Sequence, residues 1–141
     1  MPHLHPHQEN FIEKALEKLK QHAFKSTRAR NDILEAIAKH DKALSAYELQ
    51  DLLKNEGKNY SAITIYRVIE TLLELDIVHK VHSINSFMKC CEHKNHLHRL
   101  LVCKSCHSVK PVERAATELH VSGFAQVEVI DEVLGLCEKC H

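Results

Sequence analysis

Two Cys-x-x-Cys pairs constrain this chain more than any other feature. Cys103 and Cys106 flank Lys104-Ser105, and Cys137 and Cys140 flank Glu138-Lys139. Two intervening residues let both sulfurs of a pair face one point. Two such pairs supply the four thiolates of a closed tetrahedral zinc site. Thirty residues, 107 to 136, separate the pairs. That is enough for a small strand-helix-strand unit, which the metal would staple. Two disulfides, or four unrelated core cysteines, are the competing uses of the same residues.

Composition points the same way. The chain has 141 residues, room for one domain or two small ones with modest cores. No apolar run is long enough to span a membrane, and Met1-Pro2-His3-Leu4-His5-Pro6-His7 has no signal-peptide character. The expected setting of the six cysteines is therefore a reducing cytoplasm, where paired thiols bind metal or do redox work. Thirteen histidines beside those thiols suit zinc better than calcium or magnesium. The His3, His5 and His7 cluster reads as a disordered tail with weak metal affinity at most.

Net charge is zero, but the charge is uneven. Residues 14 to 30 carry six basic side chains (Lys14, Lys18, Lys20, Lys25, Arg28, Arg30) against one acid, Glu17. Such a patch can hold phosphate in a neutral chain. A solvated helix face is its other reading.

Residues 9 to about 76 read as helices. Phe11, Ile12, Ala15, Leu16 and Leu19 recur at helical spacing. A second helix starts near Ser26 or Thr27 and carries Ile33, Leu34 and Ile37. The third opens on a capping box, Ser45-Ala46-Tyr47-Glu48, carries Leu49, Leu52 and Leu53, and can end at Gly57. The fourth starts at Ser61 and runs through Ile65, Val68, Ile69, Leu72 and Leu73. Two short β-like runs follow, Ile77–Val81 and Ser86–Met88, with a turn at Ile84-Asn85-Ser86. Helices followed by a hairpin describe a winged helix-turn-helix, whose last helix before the hairpin enters the DNA major groove. Thr64 and Arg67 share a face of that helix. Arg67 has the reach for guanine or phosphate, and Tyr66 for phosphate or a thymine methyl. An ordinary amphipathic helix with one exposed arginine is the alternative. The remainder, from residue 84, shows β-like runs at Leu100–Val102 and Val127–Ile130, with a helix expected over Glu113–His120. It has little core of its own, and a metal and a dimer partner would both compensate.

In this order the motifs resemble the ferric uptake regulator family, and within it the zinc uptake regulators. Thr64-Ile65-Tyr66-Arg67 is similar to the family's Thr-Val-Tyr-Arg recognition segment. Ser45-Ala46-Tyr47-Glu48-Leu49 resembles its Ser-Ala-x-(Glu/Asp)-Leu helix start. Val78-His79-Lys80-Val81, Asn85-Ser86-Phe87 and Cys90 look like the wing and hinge of zinc-sensing members. Cys103-x-x-Cys106 and Gly135-Leu136-Cys137-x-x-Cys140 match the structural zinc motif. The resemblance spans about residues 10 to 140.

The resemblance implies an α+β chain that is no enzyme and has no small-molecule substrate or membrane. A winged-helix DNA-binding domain would occupy residues 1–82, a hinge 83–88, and a small α/β zinc-stapled dimerisation domain 89–141. It implies a homodimeric repressor that, loaded with zinc, binds an AT-rich inverted repeat in double-stranded DNA and blocks zinc-import genes. Two Zn2+ per chain follow, one structural and one regulatory. Tyr66 and Arg67 are implied at the bases, Lys25, Arg28 and Arg30 at the backbone, and Thr64 is a further DNA-binding candidate on the face of Arg67. The regulatory ligands implied by position are His79, Cys90, His96 and a glutamate. The family's glutamate position is Pro111 here, so Glu113 is the nearest replacement, and His98 competes for the same role. A third metal site found in some relatives is not expected, because residues 126 to 136 contain no histidine.

Other readings fit less. A cysteine at the regulatory site favours zinc over iron, manganese or nickel, because thiolate is soft. No Asp lies between Cys90 and Cys106, which weakens a peroxide sensor. A zinc-buffering protein leaves the capping box, recognition-like helix and hairpin unexplained. A thiol redox enzyme lacks the βαβ context of its motif. Only Gly57, Gly123 and Gly135 are present, so no glycine-rich phosphate loop exists.

Overall fold

A computed structural model describes residues 6–89, 98–113, 122–124 and 131–141. The chain divides into two compact units, residues 1–90 and 91–141. The first holds four helices and a hairpin: α1 (Pro6–Gln21), α2 (Arg28–Lys39), α3 (Ala46–Asn55), α4 (Ala62–Glu74), β1 (Val78–Val81) and β2 (Ser86–Lys89). The second holds β3 (His98–Cys103), β4 (Val109–Glu113) and β5 (Glu132–Gly135).

Local chemistry starts and stops the helices. Thr27 Oγ1 accepts the Arg30 N–H at 3.2 Å to open α2. Ser45 and Glu48 close a reciprocal capping box on α3, at 3.1 and 3.2 Å. Ser61 Oγ accepts the Thr64 N–H at 3.2 Å to open α4. Gly57, at φ 78°, ends α3 with Gly57 N–H on the Lys54 carbonyl and Lys58 N–H on the Leu53 carbonyl. The same paired bonds end α4 at Asp76 (φ 54°) and α1 at Ala23 (φ 62°). Neither is glycine, so these two stops carry no compositional signal.

The apolar stripes of the helices meet in one core. Ile33 and Leu34 of α2, Leu49 and Leu53 of α3, and Ile65, Ile69 and Leu72 of α4 are fully buried. Ala15 and Leu19 bring α1 onto the same cluster. The hairpin joins through Val78 and Phe87. Leu44, between α2 and α3, exchanges both backbone hydrogen bonds with Phe87 at 2.8 Å. Lys89 then reaches the Ala38 carbonyl and Asp41, both at 3.2 Å.

Several expectations need adjusting. α1 begins at Pro6, ahead of residue 9, so His7 belongs to a helix. Residues 83–88, expected as a hinge, form the tip and second strand of the hairpin, because ladder bonds and the buried Phe87 hold them. The division between units comes later, at 90/91. Glu113 ends β4 and does not start a helix, since the β3 ladder pairs it with His98. The rest of that expected helix, and the expected strand at 127–130, lie outside the described residues. β5 begins at Glu132.

The second unit's sheet has the order β4-β3-β5. β4 is antiparallel to β3 and β5 is parallel to it. Pro111 disguises β4 in the sequence. It is tolerated there because, among the described residues, β4 lies at the edge of the sheet, where a missing N–H costs little.

Candidate metal centre and nucleic-acid interface

The parallel pairing of β3 and β5 builds the metal centre. Cys103, the last residue of β3, is in register with Gly135, the last of β5. The Lys104 N–H donates to the Gly135 carbonyl at 2.8 Å. Both strands thus leave the sheet at the same end, and each following turn carries one cysteine pair. The first turn closes through the His107 N–H on the Cys103 carbonyl at 3.0 Å, with His107 at φ 60°. The second closes through the Cys140 N–H on the Cys137 carbonyl at 2.9 Å.

All four sulfurs lie within 4.8 Å of one another. Cys106 and Cys137 Sγ are 3.7 Å apart. Zinc–sulfur bonds of about 2.3 Å at tetrahedral angles set sulfurs about 3.8 Å apart, whereas a disulfide needs about 2.0 Å. The four are free thiols, which removes the disulfide arrangement. Cys103 is buried, and the others are partly or fully exposed.

Local donors prepare these sulfurs for charge. The Cys106 N–H, then the Cys137 N–H at 3.4 Å, hold the Cys103 thiol down at about 6. The Ser108 hydroxyl, 3.2 Å from Cys106 Sγ, is the main cause that lowers Cys106. Cys140 is pushed up to about 12, first by Cys137 and then by Cys106, which compete with it for charge. The cluster therefore accepts a first negative charge readily and resists the last without a cation. Four converging thiolates with one buried member fit a closed structural zinc site.

The regulatory candidates fall differently. His79 is half-buried in β1, in register with Met88. Cys90 and His96 lie outside the described residues. His98 and Glu113 are register partners at the end of the β3–β4 ladder, and Pro111 pairs with Leu100.

On the first unit, α4 presents one face to the core and one outward. Ile65, Val68, Ile69 and Leu72 are buried, while Arg67 and Glu70 are exposed. Among the described residues, no ion pair engages the Arg67 guanidinium. Thr64 Oγ1 lies 2.9 Å from Ser61 Oγ and is engaged in the cap. Tyr66 is half-buried and packs against the core. Lys25 and Arg28 are exposed. Arg30 is half-buried: it donates to the Lys25 carbonyl at 2.6 Å and lies 5.2 Å over the Phe24 ring. It braces the turn that carries Lys25. Tyr60, just before the α4 cap, donates to Asp32 of α2 at 2.5 Å. This bond, foremost, raises the Tyr60 pKa, and the nearby Arg28 charge lowers it.

Two residues beside these candidate sites escaped sequence reasoning. Ser108 carried no motif. Ile63 did carry a signal: it sits off the apolar stripe of α4, and it is 65% exposed.

The profile of the ferric uptake regulator family matches residues 21–131. This chain belongs to the ferric uptake regulator family. Members of the ferric uptake regulator family are transcriptional regulators rather than enzymes. Among curated relatives, the zinc uptake regulation protein of Escherichia coli K12 is 34% identical over 122 residues, 81% of this chain and 71% of that one. That of Mycobacterium tuberculosis H37Rv is 33% identical over 126 residues, 83% of this chain and 95% of that one. The ferric uptake regulation protein of Staphylococcus epidermidis ATCC 12228 is 27% identical over 130 residues, 90% and 94% of the two chains. Among solved structures, a zinc uptake regulator complexed with zinc and DNA superposes with a TM-score of 0.78 at 28% identity, covering 94% of this chain and 93% of the other. Holo XcZur gives 0.71 at 28% identity, over 92% and 96%. The winged-helix and small-sheet architecture is thus a ferric-uptake-regulator fold. Among the described residues, no helix is long and apolar enough to cross a membrane.

Proposed function

We propose that this chain is a zinc-responsive repressor of zinc-uptake genes. It acts as a homodimer on an AT-rich inverted repeat when zinc fills a regulatory site. The observation that carries this reading is the likeness, in residues and in fold, to zinc uptake regulators, one of them solved with zinc and DNA.

In this reading each chain holds two zinc ions. The structural ion takes Cys103, Cys106, Cys137 and Cys140 and supplies folding free energy to the second unit. The regulatory ion takes His79, Cys90 and His96, with Glu113 or His98 as the fourth ligand. His79 belongs to the first unit and the others lie at or beyond its end. A shared ion would restrain the link between the units and favour the arrangement in which both α4 helices meet successive major grooves. Arg67 and Tyr66 contact the bases, with Thr64 beside them on the same DNA-binding helix, and Lys25 and Arg28 contact the phosphates, with Arg30 at their side. A thiolate at the regulatory position supports zinc over iron.

The test is a metal titration of DNA binding at fixed salt, starting from protein stripped to its tightly held metal. The probe is an AT-rich inverted-repeat duplex, with zinc per chain counted in parallel. Binding is expected to rise as a second zinc per chain loads, with Fe(II) and Mn(II) acting only at much higher concentration. A second zinc that loads without changing DNA binding would remove the sensor assignment and favour zinc storage. Activation by Fe(II) at lower concentration than zinc would make the protein an iron-responsive regulator.

A further inference from the structure

The first turn of α4 is Ala62-Ile63-Thr64. Thr64 is engaged with Ser61 in the cap, and Ala62 is half-buried. Ile63 alone is presented outward in full, at 65% exposure. It stands four residues before Arg67, so the two share the solvent face of the helix. Tyr66, the other apolar group nearby, turns its ring partly to the core.

An exposed isoleucine beside an exposed arginine has a defined use if this face enters the major groove. The groove floor offers hydrogen-bond donors and acceptors, and only one apolar group, the C5-methyl of thymine. Against any other base edge, Ile63 would strip water from polar atoms without replacing their hydrogen bonds. The turn also carries no acidic residue, and the first acid of α4 is Glu70. Nothing in it repels the DNA backbone. We propose that Ile63 is a specificity-determining residue that reads a thymine methyl in each half of the operator. This rests on the reading of α4 as the DNA-reading helix.

The experiment uses the full, zinc-loaded chain. A duplex is first selected from a randomised library, and each thymine is then replaced singly by deoxyuridine, which lacks only the methyl. Wild type is expected to lose about fourfold in affinity at one thymine per half-site, the effect of one buried methyl group. Ile63→Ala should bind thymine and deoxyuridine equally at that position, while keeping its other base preferences and its zinc content. Ile63→Val should retain the thymine preference in part. Two results overturn the assignment while operator binding stands: no thymine sensitive to deoxyuridine in wild type, or full sensitivity retained in Ile63→Ala. A library that yields no enriched sequence overturns the DNA-binding reading, and this assignment with it.

Discussion

Single residues decide where the helices stop and what they show. Ala23 adopts φ 62° to end α1, a conformation that glycine adopts without the steric cost an alanine meets. Ala23→Gly is expected to stabilise the protein by about 0.5–1 kcal/mol, read as a higher midpoint in urea with an unchanged slope. A lower midpoint would mean that the Ala23 methyl makes a contact worth more than the strain. Arg28, Arg30 and Lys25 look equivalent as letters. In the fold, Arg30 is committed to the Lys25 carbonyl and the Phe24 ring, whereas Lys25 and Arg28 extend into solvent. Their difference arises from a turn of chain whose path no charge count reveals.

At the scale of elements, α4 separates stability from recognition. Leu72 is fully buried on its inner face, while Ile63 and Arg67 lie outside. Leu72→Ala should cost the first unit about 2–5 kcal/mol, because it removes apolar contact and leaves a cavity. The zinc held by the four-cysteine cluster should be retained, since all four cysteines lie in the other unit, whereas a second zinc that takes His79 should be held more weakly. Urea unfolding followed by circular dichroism, with metal analysis, checks both. Loss of the four-cysteine zinc alongside the destabilisation would show that the units fold as one. Helix α4 was readable from its stripe and its Ser61 start. Strand β4 was not, because Pro111 reads as a strand breaker unless the strand is known to be at an edge.

Across the whole molecule, the second unit ties the convergence of its four cysteines to the pairing of its strands. The sulfurs come together only when β3 and β5 pair, and among the described residues few buried side chains support that pairing. Val102 and Cys103 are buried, whereas Val133 and Leu134 of β5 are exposed. Cys137→Ser is therefore expected to lose the four-cysteine zinc and unfold the second unit, and with it to lose a second zinc that takes His96, with the helical signal of the first unit retained. Zinc counting and circular dichroism read the two parts separately. A folded second unit with normal zinc would assign the ion to other ligands. Protons and metal compete for the same sulfurs, so acidification should release zinc and mild alkalinisation should not.

Sequence alone determined whatever local rules decide. Helical periodicity, the Ser45 capping box and the Ser61 start marked the helices, because capping bonds join residues three apart. Cysteine spacing identified two half-sites for a metal, because two intervening residues suffice to aim both sulfurs. Tertiary structure alone decided how those halves meet. The choice of a parallel β3–β5 pair, with Cys103 level with Gly135, joins segments about thirty residues apart. The same holds for the hydrogen bonds of Leu44 with Phe87 and for those of Lys89 with Ala38 and Asp41. Each depends on which distant surface packs against a residue, and hydrogen bonding and burial between distant segments leave no periodic trace in the chain.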